Sequence, residues 1–405
     1  MLVYCLPSKT NNVAHLLESR KQGGRINIDH FRHARAMSNL AKNDFTETAY
    51  KQDREIMAFS IQDELITVLT LNALSLIDNA TKTCLWTYHL KSPVHRHRAK
   101  IITTKDLTIL SSAIESNVSP HIENGILVID RHHGKKIGAI QDSRLDTEKI
   151  CCIGNRIFTL FNDGNIHEWD IIRRKFIPLA IQNFHAKKFI SSDSFLIGIN
   201  DDSVIIHDII KNTSNTITFN FNKKKEHISA FNLNKSHLTL GISSYAQKND
   251  SDCIVIDLHK KSIIYQYQAS GAFVYPEGDL YTDENPYLSG IKQIVKHKNY
   301  IYMWHSRGAI ICVNMNANTH FHVGEHHYTS NPRNDSNFLV RNHILISKSI
   351  HEIYKTTLIN FWNTSDGKTI TKVEPSKLTH VFCDVENLFA VEENILKIRN
   401  YLSCG

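Results

Sequence analysis

From about residue 55 onward the apolar positions fall in short runs of 4 to 8 residues, rich in Ile, Val, Phe, Tyr and Thr, with polar turns between them. Branched and aromatic residues in runs of that length suit a pleated, buried surface, whereas an amphipathic helix repeats its apolar positions every three to four residues over a longer window. No stretch in this region sustains the helical period, so the pattern predicts strands and argues against long helices. The start of the chain reads differently. Residues 13–22 and 29–45 have helical spacing, with Phe31, Ala34, Met37 or Ser38, and Ala41 on one face. Asp29 suits the N-cap of the second of these helices, and Gly23-Gly24 the end of the first.

One phrase recurs through the strand-like region: an apolar run, an Asp or Asn, a polar turn often carrying Lys or Gly, and another run. It ends its first half at Asp78, Asp130, Asp170, Asp208 and Asp257, with weaker copies at Asn314, Asn363 and Asn400. The spacings are 52, 40, 38, 49, 57, 49 and 37, a mean of 46. Two further short runs fit upstream of each anchor, which makes four strands per unit. A period in the forties built of four short strands predicts an all-β chain, a single β-propeller of seven or eight four-stranded blades, eight being favoured by the anchors. The anchor has a physical task, since its side chain can accept backbone N–H groups that a tight turn would leave bare. A single blade cannot bury both its faces, so the ring has to close.

The expected division is a small helical segment, 1–44, followed by a propeller, 45–405, closed by an N-terminal strand. The last unit runs out of chain before its outer strand, and two segments could supply it. Leu2–Leu6 is one. Phe45–Gln52 is the other and is favoured, because it needs only a short connection to the first unit. The longest intervals predict protruding loops at 243–251 and 270–290, the second acidic and aromatic (YPEGDLYTDENPYLSG).

The phrases ending at Asp170 (IHEWD) and Asn363 (INFWN) resemble WD-repeat blades, and those at Asp78 and Asp130 are equally similar to blades of quinoprotein-type propellers. The likeness covers roughly residues 50 to 402. It departs from the WD pattern in that no regular Gly-His pair opens the repeats and the Trp-Asp dipeptide occurs once. Leu6-Pro7, followed by a helical unit ending SNLAKNDF and then a propeller, is similar to F-box/WD-repeat proteins, with Leu6, Pro7, Phe31, Ser38, Leu40 and Ala41 as the matching residues. That resemblance implies a Skp-type adaptor as partner and substrate choice for a ubiquitin ligase. The alternative reading of the same segment is a plain helical cap beside the propeller.

Composition narrows the function. Hydrophobic residues make up 41% and charged residues 21% of 405, so the chain forms a core. The net charge of +7 is too weak over this length to imply a dedicated nucleic-acid binder. No apolar run reaches the length of a membrane span, and no basic, then apolar, leader opens the chain. The eight cysteines form no CxxC pair, and most sit in apolar runs, which points to reduced, buried thiols and a cytoplasmic setting. Nucleophile elbow, phosphate loop, HExxH and EF-hand signatures are absent. The residues therefore predict no enzyme, no metal and no cofactor. The densest histidine cluster, His320 to His327, and the vicinal pair Cys151-Cys152 read best as surface-strand and packing residues. A central-channel enzyme is the rival reading.

Positive charge recurs with the period. Lys82, Lys135 and Lys136, Arg173, Arg174 and Lys175, Lys211, Lys260 and Lys261, and Lys368 all follow anchors. In a propeller such turns share one face. The expectation is an interaction scaffold whose basic face, carried by Lys135, Lys136, Arg173, Arg174, Lys175, Lys260 and Lys261, meets an acidic or phosphorylated protein partner.

Overall fold

The computed structural model describes residues 47–51, 55–62, 64–91, 100–111, 125–141, 145–161, 163–170, 175–179, 181, 184–221, 226–244, 251–268, 290–305, 310–323, 337–341, 344–350, 357–364, 367, 369–373, 378–383, 387–392 and 395–400. The helical segment expected at 1–44 lies outside them. Every regular element among the described residues is a strand, and the strands form eight four-stranded antiparallel sheets.

Sheet 1 is Ile56–Gln62, Leu65–Thr70, Ala73–Asp78 and Cys84–His89; sheet 2 is Ile101–Thr103, Leu107–Ser111, Gly125–Asp130 and Lys136–Gln141. Sheet 3 is Leu145–Ile153, Arg156–Phe161, Ile166–Asp170 and Lys175–Pro178; sheet 4 is Lys188–Ser192, Phe195–Ile199, Ser203–Asp208 and Thr213–Thr218. Sheet 5 is Glu226–Asn234, His237–Ser244, Ser251–Asp257 and Ser262–Gln268; sheet 6 is Ile291–His297, Tyr300–His305, Ile310–Asn314 and Thr319–Val323. Sheet 7 is Asn337–Arg341, Ile344–Ile350, Thr357–Asn363 and Thr369–Val373; sheet 8 is Leu378–Cys383, Asn387–Glu392 and Ile395–Asn400, completed by Glu47–Lys51.

Within each sheet the strands lie in chain order from first to fourth, except that the fourth strand of sheet 8 comes from the beginning of the chain. Glu47 pairs with Ile398 and Lys51 with Ile395. Leu396 of sheet 8 then shares a fully buried cluster with Ile56, Ile66, Val68 and Ile77 of sheet 1. The last sheet is thus joined to the first by both a backbone ladder and an apolar interface, and the architecture is an all-β propeller. First strands of neighbouring sheets lie beside one another in the pairs 1–2, 3–4, 5–6, 6–7 and 7–8, which puts them innermost and the fourth strands on the rim.

Side-chain alternation explains why the apolar runs are continuous. In sheet 6, Ile301 and Met303 pack against sheet 5, while Tyr302 and Trp304 pack against sheet 7. In sheet 3, Ile157 faces sheet 2, while Phe158 and Leu160 face sheet 4. A strand with a neighbour on each side has no solvent face, so the period of two is lost from the sequence although it holds in the structure. The fourth strands recover it. Cys84–His89 and Thr213–Thr218 alternate exposed and half-buried positions, as rim strands covered on one side do.

Two sequence expectations need correction. The protruding loop placed at 243–251 is shorter, because Ser243 pairs with Ser251 and the ladder of sheet 5 runs through both. Cys84 is exposed on the rim of sheet 1, whereas Cys151, Cys253 and Cys312 are buried; no disulfide joins them. The segment 270–290 lies outside the described residues except for Gly290.

The anchors do what their chemistry suggests. Asp78 Oδ1 accepts from the N–H groups of Ala80 and Thr81 at 2.7 and 3.1 Å. Asp130, Asp208, Asp257 and Asn314 each accept from the residues two and three positions on, at 2.9 to 3.2 Å. The fourth residue after the anchor then takes a left-handed conformation: φ is 59° at Lys82, 65° at Gly134, 50° at Asn212, 51° at Lys261, 53° at Asn318 and 69° at Gly367. A further bond pins each turn. The N–H after the anchor donates to the carbonyl of the turn between the first two strands, as Asn79 to Glu64, Arg131 to Asp106, Ile209 to Ser194, Leu258 to Ser236 and Met315 to Asn299, at 2.8 to 2.9 Å. The two turns therefore sit together on one face of the ring.

Hydrogen bonds from the Lys260 N–H, and after it from His259, hold the Asp257 carboxyl below its ordinary value of 3.8. For Asp130, burial pushes the other way, but bonds from His133 and His132 outweigh it and the group also lies low. Asp257→Ala is expected to lower the unfolding free energy by about 1–2 kcal/mol. The contribution of both carboxylates is full above about pH 3.8 and is lost as pH falls through their lower folded values. Denaturant titrations at neutral pH and near pH 3 check both: the deficit of the Asp257→Ala variant should be clear at the first and shrink at the second.

Candidate functional site

The turn face is chemically lopsided. The anchor carboxylates of sheets 1, 2, 4 and 5 accept backbone N–H groups of their own turns, and in sheets 2, 4 and 5 an exposed lysine follows, whereas Lys82 of sheet 1 is half-buried and its Nζ donates to Asn79 Oδ1 at 2.9 Å. Asp208 shows the effect most plainly: its side chain is 5% exposed, while Lys211, whose Nζ lies 4.0 Å from Asp208 Oδ2, keeps 72% of its side chain exposed. Lys135, Lys136 and Lys260 are exposed as well. Lys261 is placed differently. It is half-buried, and its Nζ donates to Thr213 Oγ1 of sheet 4 at 2.9 Å. Lys175 opens the fourth strand of sheet 3, opposite Asp170. Arg173 and Arg174 lie outside the described residues, as do Leu6, Pro7, Phe31, Ser38, Leu40 and Ala41.

Three more cations join this face without following an anchor. Lys105, Lys235 and Lys298 stand in the turns between first and second strands, and all three are exposed. The φ angle is 49° at Lys235 and 53° at Lys298. With Lys82 and Lys261, four of the eight non-glycine residues at positive φ are lysines. Such a conformation costs an L-residue roughly 1 kcal/mol or more, and Gly or Asn would hold it more cheaply. Backbone demand alone therefore does not account for lysine at these positions.

The same face carries a polar hub that ties sheets 1, 2 and 3. Arg131, directly after an anchor, is buried, with 2% of its surface exposed. Its guanidinium donates to Thr104 O at 3.1 Å and to Gln62 O at 2.5 Å, while Trp86 Nε1 donates to Arg131 O at 2.7 Å. Thr104 Oγ1 donates to Asn155 Oδ1 at 3.0 Å, and Asn155 Nδ2 donates to Asp106. His132 Nε2 lies 3.2 Å from Asp106. The bonds from Asn155 and His132 hold the Asp106 carboxyl low. Gly134 must be glycine here, because a Cβ would meet the Trp86 ring at 2.6 Å.

In the middle of the ring, a cavity of about 720 Å³ is bordered by first strands of sheets 1 to 5. Among the described residues its lining includes Ser60, Gln62, Lys100, Thr103, Cys151, Cys152 and Ser191, and none of those residues is Asp, Glu or His. Cys151 packs between sheets 3 and 4, and Cys152 points toward sheet 2. Burial pushes both thiols up, Cys152 to about 12, so neither is a thiolate near neutrality. His320 and His322 share one side of the rim strand of sheet 6, with ring centroids 6.2 Å apart. The Tyr267 hydroxyl of sheet 5 lies 2.7 Å from His320 Nδ1. His326 and His327 lie outside the described residues, and among the described residues no three His, Cys, Asp or Glu side chains converge as metal ligands would.

The hub yields a test of how far the face is structural. Arg131→Ala leaves buried carbonyls without their donor and is expected to cost about 3 kcal/mol. Arg131→Lys should lose roughly half as much, since an ammonium cannot reproduce the fork. Urea denaturation of both variants measures this; equal stability of Arg131→Ala and wild type would remove the hub from the account.

No protein-family model matches the chain, and no curated protein does either. Solved structures do. The computationally designed Ika8 protein aligns with a TM-score of 0.57 and 11% identity over 87% of this chain and 98% of its own. BamB from Moraxella catarrhalis gives 0.59 and 10% over 87% and 98%. Sqt1 from Saccharomyces cerevisiae gives 0.57 and 11% over 87% and 97%. At such identity the likeness is one of fold, and the fold of this chain is a β-propeller.

Proposed function

We propose that this chain is a non-enzymatic scaffold in the cytoplasm that docks an acidic or phosphorylated protein partner on its turn face. The observation that carries this reading is the inward carboxylate and outward lysine of successive turns, which concentrates positive charge on a surface held rigid by the anchors. Propellers of the WD-repeat kind bind proteins, which supports the class of function. The rival, an enzyme working in the central cavity, would need an acid, base or nucleophile there; the lining offers hydroxyls, protonated thiols and Lys100. Full-length chain carrying Lys135→Ser, Lys136→Ser, Arg173→Ser, Arg174→Ser and Lys260→Ser is expected to hold its captured partner about tenfold more weakly, and with a flatter dependence on salt. Unchanged affinity and unchanged salt dependence would overturn the basic-face reading.

A sharper form makes residues 1–44 an F-box-like module on Leu6, Pro7, Phe31, Ser38 and Leu40. It is favoured by the point of entry: Glu47–Lys51 is the rim strand of sheet 8, so a module ahead of it joins the disc at its edge. Full-length chain should then retain a Skp-type adaptor, and Leu6→Ala with Pro7→Ala should release it. Failure of the wild-type chain to bind the adaptor rejects this form and leaves the scaffold reading standing.

A further inference from the structure

The corner shared by sheets 4 and 5 combines charge with exposed apolar surface. Ile210, in the turn after Asp208, is 81% exposed. Its N–H donates to Asp208 Oδ1 at 3.0 Å, so the residue is held out by a pinned turn. Ile263 is the second residue of the rim strand of sheet 5 and is 43% exposed. It stands opposite Ile256, which packs against sheet 4, so Ile263 lies on the side of the strand that faces sheet 4.

The two corners are fastened together. Lys261 Nζ reaches Thr213, Asn215 Nδ2 donates to Lys261 O at 3.3 Å, and the His259 ring meets Phe195 edge-on at 5.1 Å. Lys211 follows Ile210 in its turn, with its Nζ 4.0 Å from Asp208 Oδ2, Lys260 stands in the turn that leads to Ile263, and Lys235 lies in the inner turn of sheet 5; all three lysines are exposed. Asp193, beside Phe195, is the exposed carboxylate of this corner. The carboxylates of Asp208 and Asp257 are turned into their own loops by pairs of backbone N–H groups.

We infer that this corner is the anchor point of the turn face and takes an acidic, extended peptide segment of a protein partner, with one large apolar side chain seated on Ile210 and Ile263 and carboxylates on Lys211 and Lys260. The inference rests on the scaffold reading above and adds the partner's pattern: apolar residue within acid. Charge complementarity selects an acidic occupant over a basic or neutral one. The apolar pair selects a peptide over a nucleic acid, whose phosphates have no use for isoleucine. Because Ile210 buries almost nothing in the folded chain, replacing it changes the surface and not the core.

The test uses full-length chain and a fluorescein-labelled, glutamate-rich peptide with one central leucine, followed by fluorescence anisotropy. Ile210→Ser with Ile263→Ser is expected to weaken binding about tenfold, the worth of one partly buried aliphatic contact, with no change in salt dependence. Lys211→Glu with Lys260→Glu should weaken it at least as much and flatten the salt dependence. Lys82→Glu with Lys135→Glu, on sheets 1 and 2, should leave it within twofold. Equal affinity for a peptide with serine in place of leucine overturns the inference, as does equal or tighter binding of a single-stranded oligonucleotide. Equal losses from both lysine pairs with none from the isoleucines would retain the basic face but reject this corner. No loss from any variant, or no binding of the peptide at all, rejects the corner, and in the first case the basic face too. A dimer in sedimentation that the peptide does not disperse, and that Ile210→Ser does, would give the corner to a second copy instead.

Discussion

A ring of sheets can exist only if each sheet turns its chain sharply at the same place and in the same sense. In sheets 1, 2, 4, 5 and 6 that requirement falls on one residue of each unit. The anchor side chain accepts two backbone N–H groups of the loop, and the next N–H reaches across to the inner turn. Four residues on, the backbone goes left-handed. Together these fix both turns of one face to the second and third strands. Without them the rim strand would be free to slip in register, and a slip of one residue would turn its covered side chains to solvent and its exposed ones inward. The anchors are cheap in atoms yet hold the interfaces in place, since the alternation of Ile301, Tyr302, Met303 and Trp304 between two neighbouring sheets only works at one register.

The electrostatics of the face follow from the same bonds. A carboxylate that accepts N–H groups is spent within its own turn and shows little of itself to solvent. Lysines a few residues later, such as Lys135, Lys211 and Lys260, remain exposed. Total charge is a poor guide to this, because the count weighs Asp208 and Lys211 alike although one is nearly covered and the other nearly bare. A mild excess of +7 over the whole chain is compatible with a much more one-sided face. Not every cation there is available, however. Arg131 is spent on the carbonyls of Thr104 and Gln62, Lys261 on Thr213 and Lys82 on Asn79.

Much of the fold was legible in the residues, and the reasons are specific. Runs such as ALSLID, GILVID and DCIVID are continuous because both sides of the strand are buried, and they stop at an Asp whose role is local. Where function sits was less legible. Lys105, Lys235 and Lys298 occupy short inner turns that share no motif, so nothing in their spacing ties them to the anchors; only the bond from the residue after the anchor puts them on the same face. Arg131 reads as one more turn cation, but the hub that buries it is built from Gln62, Thr104 and Asn155, which are far apart in sequence. Ile210 and Ile263 look like ordinary members of apolar runs. Their exposure is set by rim position, which the period of two does not reveal when one residue stands in a loop.

Rigidity links these observations to recognition. A surface loop that must be ordered when a partner arrives gives up part of its binding energy to that ordering. Here the backbone of the anchor turns in sheets 1, 2, 4, 5 and 6 is already held by three to five hydrogen bonds, so a docking partner would need to order only the lysine side chains. The left-handed lysines carry their strain in the free protein and carry it still in the complex, so it subtracts nothing from affinity. The face therefore combines fixed spacing between charges with mobile tips. That arrangement discriminates by the distance between acidic groups on the partner more than by their number, and it explains why a rigid ring is a suitable base for reading an extended, acidic chain.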